Sequence, residues 1–354
     1  MRKSIILCLA MISTCSAVSS AQESNEQAPQ EETFNFMPEI NGTVRAKYEW
    51  QPDIGASRFQ VRNARVSITG KVTPIVAYKA EIDFNDEGSM KMSDAYIRLS
   101  PIKDFNFTIG QMRVPFTIDA HRSPHQQYFA NRSFIAKQVG NVRDVGATLA
   151  YTFKGNVPVT LQGGIFNGSG ITDQKNYWTE SVNFSVKGQV AFPKGFNLVL
   201  SAQKVKPDNV SVMMYDAGAF YHGHGWHIEG EWLYKHYADD AFDAVNAFDA
   251  FACYDLKLPR NKAFKKISFL GRWDYMDDHS DGIRYDADGN ESEDGTLIIN
   301  DYKRHRATVG MTFSLNQPFI ADIRLNYEKY FYDDGATKKI SEQDKLVLEF
   351  MVRF

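Results

Sequence analysis

Apolar and polar residues alternate one by one along most of the chain, and helical periodicity is nearly absent. In the last segment, one set of alternate positions is Leu346, Leu348, Phe350, Val352 and Phe354. The other set is Val347, Glu349, Met351 and Arg353. Because successive side chains of a β-strand point to opposite faces, this pattern predicts a strand with one apolar and one polar face.

The same alternation recurs through the chain and predicts sixteen strands. They are expected near 40–50, 58–69, 75–85, 93–100, 105–112, 144–153, 157–166, 181–192, 196–204, 213–222, 226–236, 246–256, 267–276, 301–313, 320–331 and 344–354. An even number of strands, each close to the ~9–11 residues that cross a membrane when tilted, is typical of bacterial outer-membrane barrels.

The connections between these strands alternate in length. The short ones are 70–74, 101–104, 154–156, 193–195, 223–225, 257–266 and 314–319. Those between them are mostly longer, notably 113–143, 167–180 and 277–300. Transmembrane barrels have short periplasmic turns and longer outside loops, and in hydrocarbon only a closed sheet leaves no backbone group unpaired. We therefore predict an all-β, antiparallel transmembrane barrel of about 16 strands, whose third outside loop, 113–143, folds inward.

The N-terminal residues predict export. Arg2 and Lys3 precede the apolar run 5–12, and small residues up to Ala21 suit cleavage by signal peptidase. We expect a signal peptide at 1–21, a flexible periplasmic leader at 22–37 and an outer-membrane barrel at 38–354. Cleavage removes two basic residues and no acidic ones, which changes the formal net charge from −3 to −5. It leaves Cys253 as the one cysteine, so no internal disulfide is expected.

Five segments carry a family resemblance: Arg62–Val66, Ser93–Tyr96, Ile109–Phe116, Asn131–Phe134 and Arg143–Ala147. With these segments the chain resembles the phosphate-selective porin O and P family, most clearly over 58–153 and less specifically from there to the C-terminus. The resemblance implies a sixteen-stranded barrel, usually a homotrimer, that admits anions. We expect a water-filled channel for passive diffusion of small hydrophilic solutes, leaning to anions, with phosphate and other oxyanions among the candidates.

Basic residues on the long third loop and on the early strands are the candidate pore-lining and anion-binding residues. They are Arg65, Lys79, Arg98, Arg113, Arg122, Arg132, Lys137 and Arg143. The loop holds one acid, Asp119, and His121 and His125 would add positive charge when protonated. Cations at a constriction favour anions because low-dielectric walls concentrate their field. The alternative is that these cations pair with the wall carboxylates Glu81, Asp83 and Asp94, which would leave selectivity weak.

Two other motifs have plainer interpretations than metal binding. His222, His224 and His227 lie at a short turn without a nearby cysteine, which favours an exposed turn over a metal site. The acidic stretch 286–294, within the loop 277–300, resembles part of a calcium loop but lacks EF-hand spacing and flanking helices. A solvated acidic loop is the simpler interpretation. We expect no metal, no cofactor and no catalytic residues.

The expected surroundings are outer-membrane lipid and lipopolysaccharide, with no nucleic-acid partner. The alternatives are an outer-membrane barrel that cleaves lipids or peptides, and a surface β-sandwich that binds a ligand. An enzyme should carry a nucleophile and histidine together at one rim, and no nucleophile motif is found. An energised 22-stranded transporter needs a plug domain, for which the leader is too short.

Overall fold

The computed structural model describes residues 35–84, 90–138, 143–171, 174–207, 210–316 and 319–354. The predicted signal peptide, and all of the predicted leader except 35–37, lie outside the described residues. None of the helices in the described ranges is long and apolar enough to span a bilayer.

Eighteen strands are assigned in the described part of the chain. They are β1 (Glu39–Gln51), β2 (Ala56–Thr73), β3 (Val76–Asp83), β4 (Lys91–Leu99), β5 (Phe105–Arg113), β6 (Arg143–Phe153), β7 (Val159–Phe166), β8 (Asn183–Ala191), β9 (Phe196–Val205), β10 (Val212–Gly223), β11 (Trp226–Tyr237), β12 (Val245–Lys257), β13 (Phe264–Met276), β14 (Arg284–Tyr285), β15 (Thr296–Leu297), β16 (Arg304–Leu315), β17 (Ile320–Tyr332) and β18 (Lys345–Arg353). The helical elements are α1 (Phe134–Gln138) and the 3-10 turns Pro124–Gln126, Pro193–Gly195 and Ala238–Asp240.

Sixteen of these strands form one closed antiparallel barrel, in which each strand pairs with its neighbours in sequence and β1 pairs with β18. The short strands β14 and β15 form a separate hairpin within one long connection. The prediction of about sixteen antiparallel strands is confirmed. A single closed sheet is incompatible with the alternative of a β-sandwich, which needs two sheets packed face to face.

The seam between the first and last strands closes through Gly42 and Phe354. Gly42 N donates to Phe354 O at 2.7 Å, and Phe354 N donates to Gly42 O at 3.1 Å. The Phe354 ring lies over the Gly42 α-carbon, within 2.2–2.7 Å of where a Cβ would stand. Any side chain at position 42 would therefore displace the ring that covers the seam.

The two faces of the barrel wall have opposite character. In β18, Phe350 points outward and is 53% exposed, whereas its neighbour Glu349 points inward and is 0% exposed. In β11, outward-facing Trp232 is 45% exposed and inward-facing Glu231 is 2% exposed. This distribution is the reverse of that in a soluble protein, because the outer face contacts hydrocarbon and the charged groups face the interior.

The connections follow the predicted alternation. The shortest connection joins β10 to β11 through His224 and Gly225, and both residues have positive φ. A two-residue hairpin loop needs positive φ for its twist to match that of the flanking strands. At the opposite end, the connection between β13 and β16 is long enough to contain the β14–β15 hairpin. One connection at that end, Pro52 to Gly55, is short.

An apolar cluster lies inside the barrel around α1. Phe134 and Ile135 of α1 are 1% and 0% exposed, and they belong to one cluster with Met214, Leu233 and Met276 from the wall. An apolar cluster of this kind fills part of the interior, so the barrel is not an empty cylinder.

The outward face of β8 should respond to charge differently from its inward face. Val186 points outward and is 47% exposed, whereas Gln189 points inward and donates to Asn197. We expect Val186→Arg to lower the free energy of unfolding by about 2–4 kcal/mol, because it places a charge against the bilayer interior. The matched variant Gln189→Arg should change it by less than about 1 kcal/mol. Urea titrations of the barrel folded into lipid vesicles measure both, and equal losses would mean that β8 has no lipid-facing side.

Candidate permeation pathway

The residues Val114–Gln138, called the inner loop below, leave the barrel wall after β5. Pro115 cannot donate a backbone hydrogen bond, so strand pairing ends there. The two halves of the loop are tied by Asp119, whose carboxylate accepts from Ser133 N and from Ser133 Oγ, both at 3.1 Å. Thr117 has a φ of 55°, which is rare for a β-branched residue and indicates that surrounding contacts hold the backbone.

Those contacts come from the inward faces of β8, β9 and β11. Thr117 N donates to Ser201 Oγ of β9 at 3.1 Å, and Ser185 Oγ of β8 donates to Pro115 O at 2.8 Å. Ile118 N donates to the Glu231 carboxylate of β11. The first part of the inner loop therefore lies against β8, β9 and β11, three to six strands along the wall from β5, where the loop starts.

The second part of the inner loop is bound by β13, β16, β17 and β1. Phe134 N donates to Asp274 Oδ1 of β13 at 3.2 Å, and Ala130 N donates to Asn326 Oδ1 of β17 at 2.9 Å. Arg45 of β1 donates to Ala130 O at 2.7 Å. These contacts cover the interior from β8 round to β1, called the covered wall below.

Buried ion pairs hold the covered wall together beneath the loop. Glu349 accepts from Arg45 at 2.7 Å and from Arg324 at 2.7 Å, and Arg306 lies 2.9 Å from Asp274. All five side chains are at most 3% exposed. Charges removed from water need close partners to offset the cost of desolvation, and here each guanidinium has a carboxylate in contact.

The inward faces of β2–β6, called the open strip below, are more exposed. Three basic and three acidic residues pair there: Arg65–Asp83 (2.6 Å), Lys79–Asp94 (2.5 Å), Arg143–Asp94 (2.6 Å) and Arg143–Glu81 (3.0 Å). These three cations thus contact the wall carboxylates named in the alternative interpretation, Glu81, Asp83 and Asp94.

Four other arginines at the open strip make no ion pair within the described residues: Arg62, Arg98, Arg113 and Arg132. Arg113 donates to the carbonyl oxygens of Ala120, at 3.3 Å, and Arg122, at 2.7 Å. Arg132 also donates to Arg122 O, at 2.8 Å, so its partner is again an uncharged carbonyl. Carbonyl oxygens orient these guanidinium groups without cancelling their charge. The open strip therefore carries an excess of positive charge.

Arg62 is a candidate that simple alternation missed. The pairing of β1 with β2 skips from Asn63 to Val61 opposite Arg45 and Ala46, which leaves Arg62 as the extra residue of a β-bulge. A bulge shifts the phase of a strand by one residue. As a result the side chains of Arg62 and Asn63 both face the interior of the barrel. Arg62 lies close enough to Arg45 to interact with its charge.

Two of the predicted pore-lining residues lie elsewhere. The Arg122 side chain points from the inner loop to the covered wall, where its NH1 is 2.8 Å from Glu229 Oε1 and its guanidinium lies over the Phe251 ring. Lys137 pairs with Glu342 near the end of the barrel where the long connections lie. The sequence identifies both as cations of the loop but contains no signal for their direction.

The loop histidines do not supply charge at neutral pH. Burial lowers the pKa of His121 to about 3, and burial together with Arg353 lowers the pKa of His125 to about 4. Arg353 NH1 contacts His125 Nε2, an arrangement that needs a neutral ring to accept the proton.

The histidine and acidic motifs show no metal geometry. Contrary to the expectation of no nearby cysteine, His227 is paired in register with Cys253, because strand pairing joins residues distant in sequence. His227 Nε2 contacts Glu229 at 3.0 Å. Asp286 accepts backbone N–H groups of its own turn, including that of Asn290 at 2.9 Å. Within the described ranges, no group of three or more ligand residues fits a metal ion.

Comparison with known proteins agrees with this geometry. Residues 46–213, a little under half of the chain, match the family model "Phosphate-selective porin O and P". This match spans the open strip and the inner loop, and it confirms the resemblance read from the sequence. No curated protein matches the chain.

Several solved structures share the fold. The outer membrane channel DcaP of Acinetobacter baumannii is 14% identical, with a TM-score of 0.60, covering 90% of this chain and 97% of that one. An anion-selective porin from Comamonas acidovorans is 13% identical, with a TM-score of 0.58 and coverage of 90% and 99%. OmpT of Vibrio cholerae, in a trimer form, is 11% identical, with a TM-score of 0.57 and coverage of 90% and 98%. The closed barrel is thus the fold of known outer-membrane porins, and the first half of the chain matches a porin family.

Because the loop histidines have low pKa values, we predict that they do not change the ion selectivity of the channel in mild acid. An ordinary histidine gains its charge on going from about pH 7 to about pH 5.5. Because the pKa values of His121 and His125 lie below this range, the variant His121→Gln/His125→Gln should show the same shift of reversal potential over it as the wild type. A smaller shift in the variant would mean that one of the rings protonates in the folded protein.

Proposed function

We propose that this porin forms a water-filled channel in the Gram-negative outer membrane, through which small hydrophilic solutes diffuse passively, with a preference for anions. In this proposal the signal peptide is cleaved after Ala21, the short turns face the periplasm and the long connections face outward, against lipopolysaccharide. Three copies assemble as a homotrimer.

The unbalanced guanidinium groups of the open strip carry the proposal of anion preference. Solutes that pass the inner loop must pass beside the part of the wall that includes β2–β6, because the loop covers the wall from β8 round to β1. There the guanidinium groups of Arg62, Arg113 and Arg132 form no ion pair with a carboxylate in the described part of the chain, although Asp119 lies close enough to Arg132 to interact with its charge. Low-dielectric walls concentrate such a field, which raises the local concentration of anions. Arginine suits oxyanions in particular through its planar fork of donors.

The paired half of the strip limits how strong this preference is. The cations Arg65, Lys79 and Arg143 are matched by three carboxylates, so their net contribution to the potential is small. A carboxylate next to the passage also repels multiply charged anions. We therefore propose a general preference for anions rather than a dedicated phosphate site.

Two similar proteins support parts of the proposal. The Comamonas acidovorans protein is described as an anion-selective porin, and the Vibrio cholerae protein as a trimer. Both are below 25% identity, so they support the anion preference and the homotrimer by analogy. The family match and the barrel fold favour a channel over an enzyme.

Planar-bilayer recording tests the channel itself. The purified protein should insert as stable open channels, and in a potassium chloride gradient its reversal potential should have the sign of an anion-preferring pore. If the purified, folded protein repeatedly gave no conductance, the proposal of an open passage would be wrong.

Substitution of the unpaired arginines tests the source of the preference. The variant Arg62→Gln/Arg113→Gln/Arg132→Gln removes three unmatched charges from the strip, so the reversal potential should move toward that of a cation-preferring pore. Arg260→Gln makes the same type of change at an exposed turn between β12 and β13 and should leave the reversal potential unaltered. An unchanged potential in the triple variant would show that the strip does not border the ion path.

A further inference from the structure

A cavity of about 180 Å³ lies inside the barrel, at the end that carries the long connections. It lies between the end of α1, the beginning of the β9–β10 connection and the connection that follows β13. One side of the cavity is apolar and includes Val205, Val212 and Met214. The other side includes Lys235 of β11 and His279. An apolar pocket with few, convergent polar groups is the usual form of a small-molecule site.

Lys235 is a buried cation without an acidic partner. Its side chain belongs to a residue only 4% exposed, and Nζ donates to Ser280 O at 2.6 Å and to His279 Nδ1 at 3.3 Å. Nζ also lies 4.7 Å from the centre of the Tyr237 ring, so its three contacts are all with uncharged groups. In the described ranges no carboxylate forms an ion pair with it. A buried ammonium of this kind is stabilised by an anion brought into contact with it.

The other ionisable groups around the cavity are already engaged. Burial holds the pKa of His279 well below its usual range, so its ring is neutral and Nδ1 accepts the Lys235 proton. The Asp281 carboxylate accepts from Ile283 N at 2.9 Å and from Tyr285 OH at 3.0 Å. Lys137, at the edge, pairs with Glu342 as described above. The charge of Asp281, which also lines the cavity, acts on Lys235 without contacting it, so Lys235 is the basic group of the cavity that has no carboxylate in contact with it.

We propose that this cavity is a binding site for a small monocarboxylate with an apolar body, such as an aromatic or branched aliphatic acid. The carboxylate contacts Lys235 Nζ, and the apolar body packs against Val205, Val212 and Met214. A single cation beside an apolar surface suits a monocarboxylate. Inorganic phosphate would need several donors converging on it. The inference rests on the proposed channel only for the route by which the ligand arrives.

Binding is measured on the full-length protein in detergent micelles, so that its outcome is independent of conductance. Calorimetric titration with benzoate should show saturable binding. Acetate, which lacks the apolar body, and inorganic phosphate, which lacks it and carries more charge, should each bind at least about tenfold more weakly.

Matched variants assign the binding to this cavity. Lys235→Met preserves length and removes the charge, and it should weaken benzoate binding by at least about tenfold, which is the effect of losing a charge-assisted contact. Met214→Gln should weaken benzoate binding and leave the weak binding of acetate unchanged. Lys338→Met removes an exposed charge at the same end of the barrel and should leave both unchanged.

Heat-modifiable migration on a gel verifies that each variant has folded. Wild-type protein without saturable benzoate binding would overturn the proposal, as would a folded Lys235→Met variant that binds benzoate like the wild type. If Lys235→Met does not fold, the affinities of the wild type and of Met214→Gln for benzoate and acetate test the proposal instead. Equal affinity for benzoate and acetate, or no effect of Met214→Gln, would then contradict it.

Discussion

The structure depends on one constraint, which is that every backbone N–H and C=O group within hydrocarbon must be paired inside the protein. A closed sheet of sixteen strands meets this constraint, and the seam between Gly42 and Phe354 completes it. Closure fixes an inside and an outside, so that alternation along each strand becomes a separation of oily from charged side chains. Phe350 and Glu349 are adjacent in sequence and lie on opposite sides of that boundary. Charges placed inside must then be matched, hydrated or bound by a ligand.

Charged side chains inside the barrel are accommodated differently on the covered wall and on the open strip. On the covered wall, buried pairs such as Arg306–Asp274 are sealed beneath the inner loop and stabilise its position. On the open strip, the side chains are more exposed, and guanidinium groups such as that of Arg113 have carbonyl oxygens instead of carboxylates as partners. The same residue types thus serve structure on one side and electrostatics on the other. Lys235 of the covered wall differs from both groups, because it is buried and no carboxylate contacts it within the described residues.

Much of this arrangement could be predicted from the sequence, because a two-residue period directly records which face each side chain takes. The sixteen strands and the alternation of connection lengths follow from local pattern and turn residues. The candidate site was predicted less completely. The bulge that turns Arg62 inward depends on pairing with β1, and the partner of Arg122 is Glu229, more than a hundred residues away. Contacts set by closure of the sheet leave no local trace in the chain, and this also explains why the pairing of His227 with Cys253 was not expected.

The central claim is that water and solutes pass along β2–β6 while the inner loop seals the opposite wall. Cysteine accessibility tests it most directly, in a Cys253→Ser background, with a charged water-soluble thiol reagent added during single-channel recording. Ser67 lies on the inward face of the open strip. The variant Ser67→Cys should therefore react quickly with the reagent, with a stepwise loss of current. Thr308→Cys replaces a side chain that is 0% exposed on the covered wall and should remain unreacted. Rapid current loss at Thr308→Cys with none at Ser67→Cys would contradict the account.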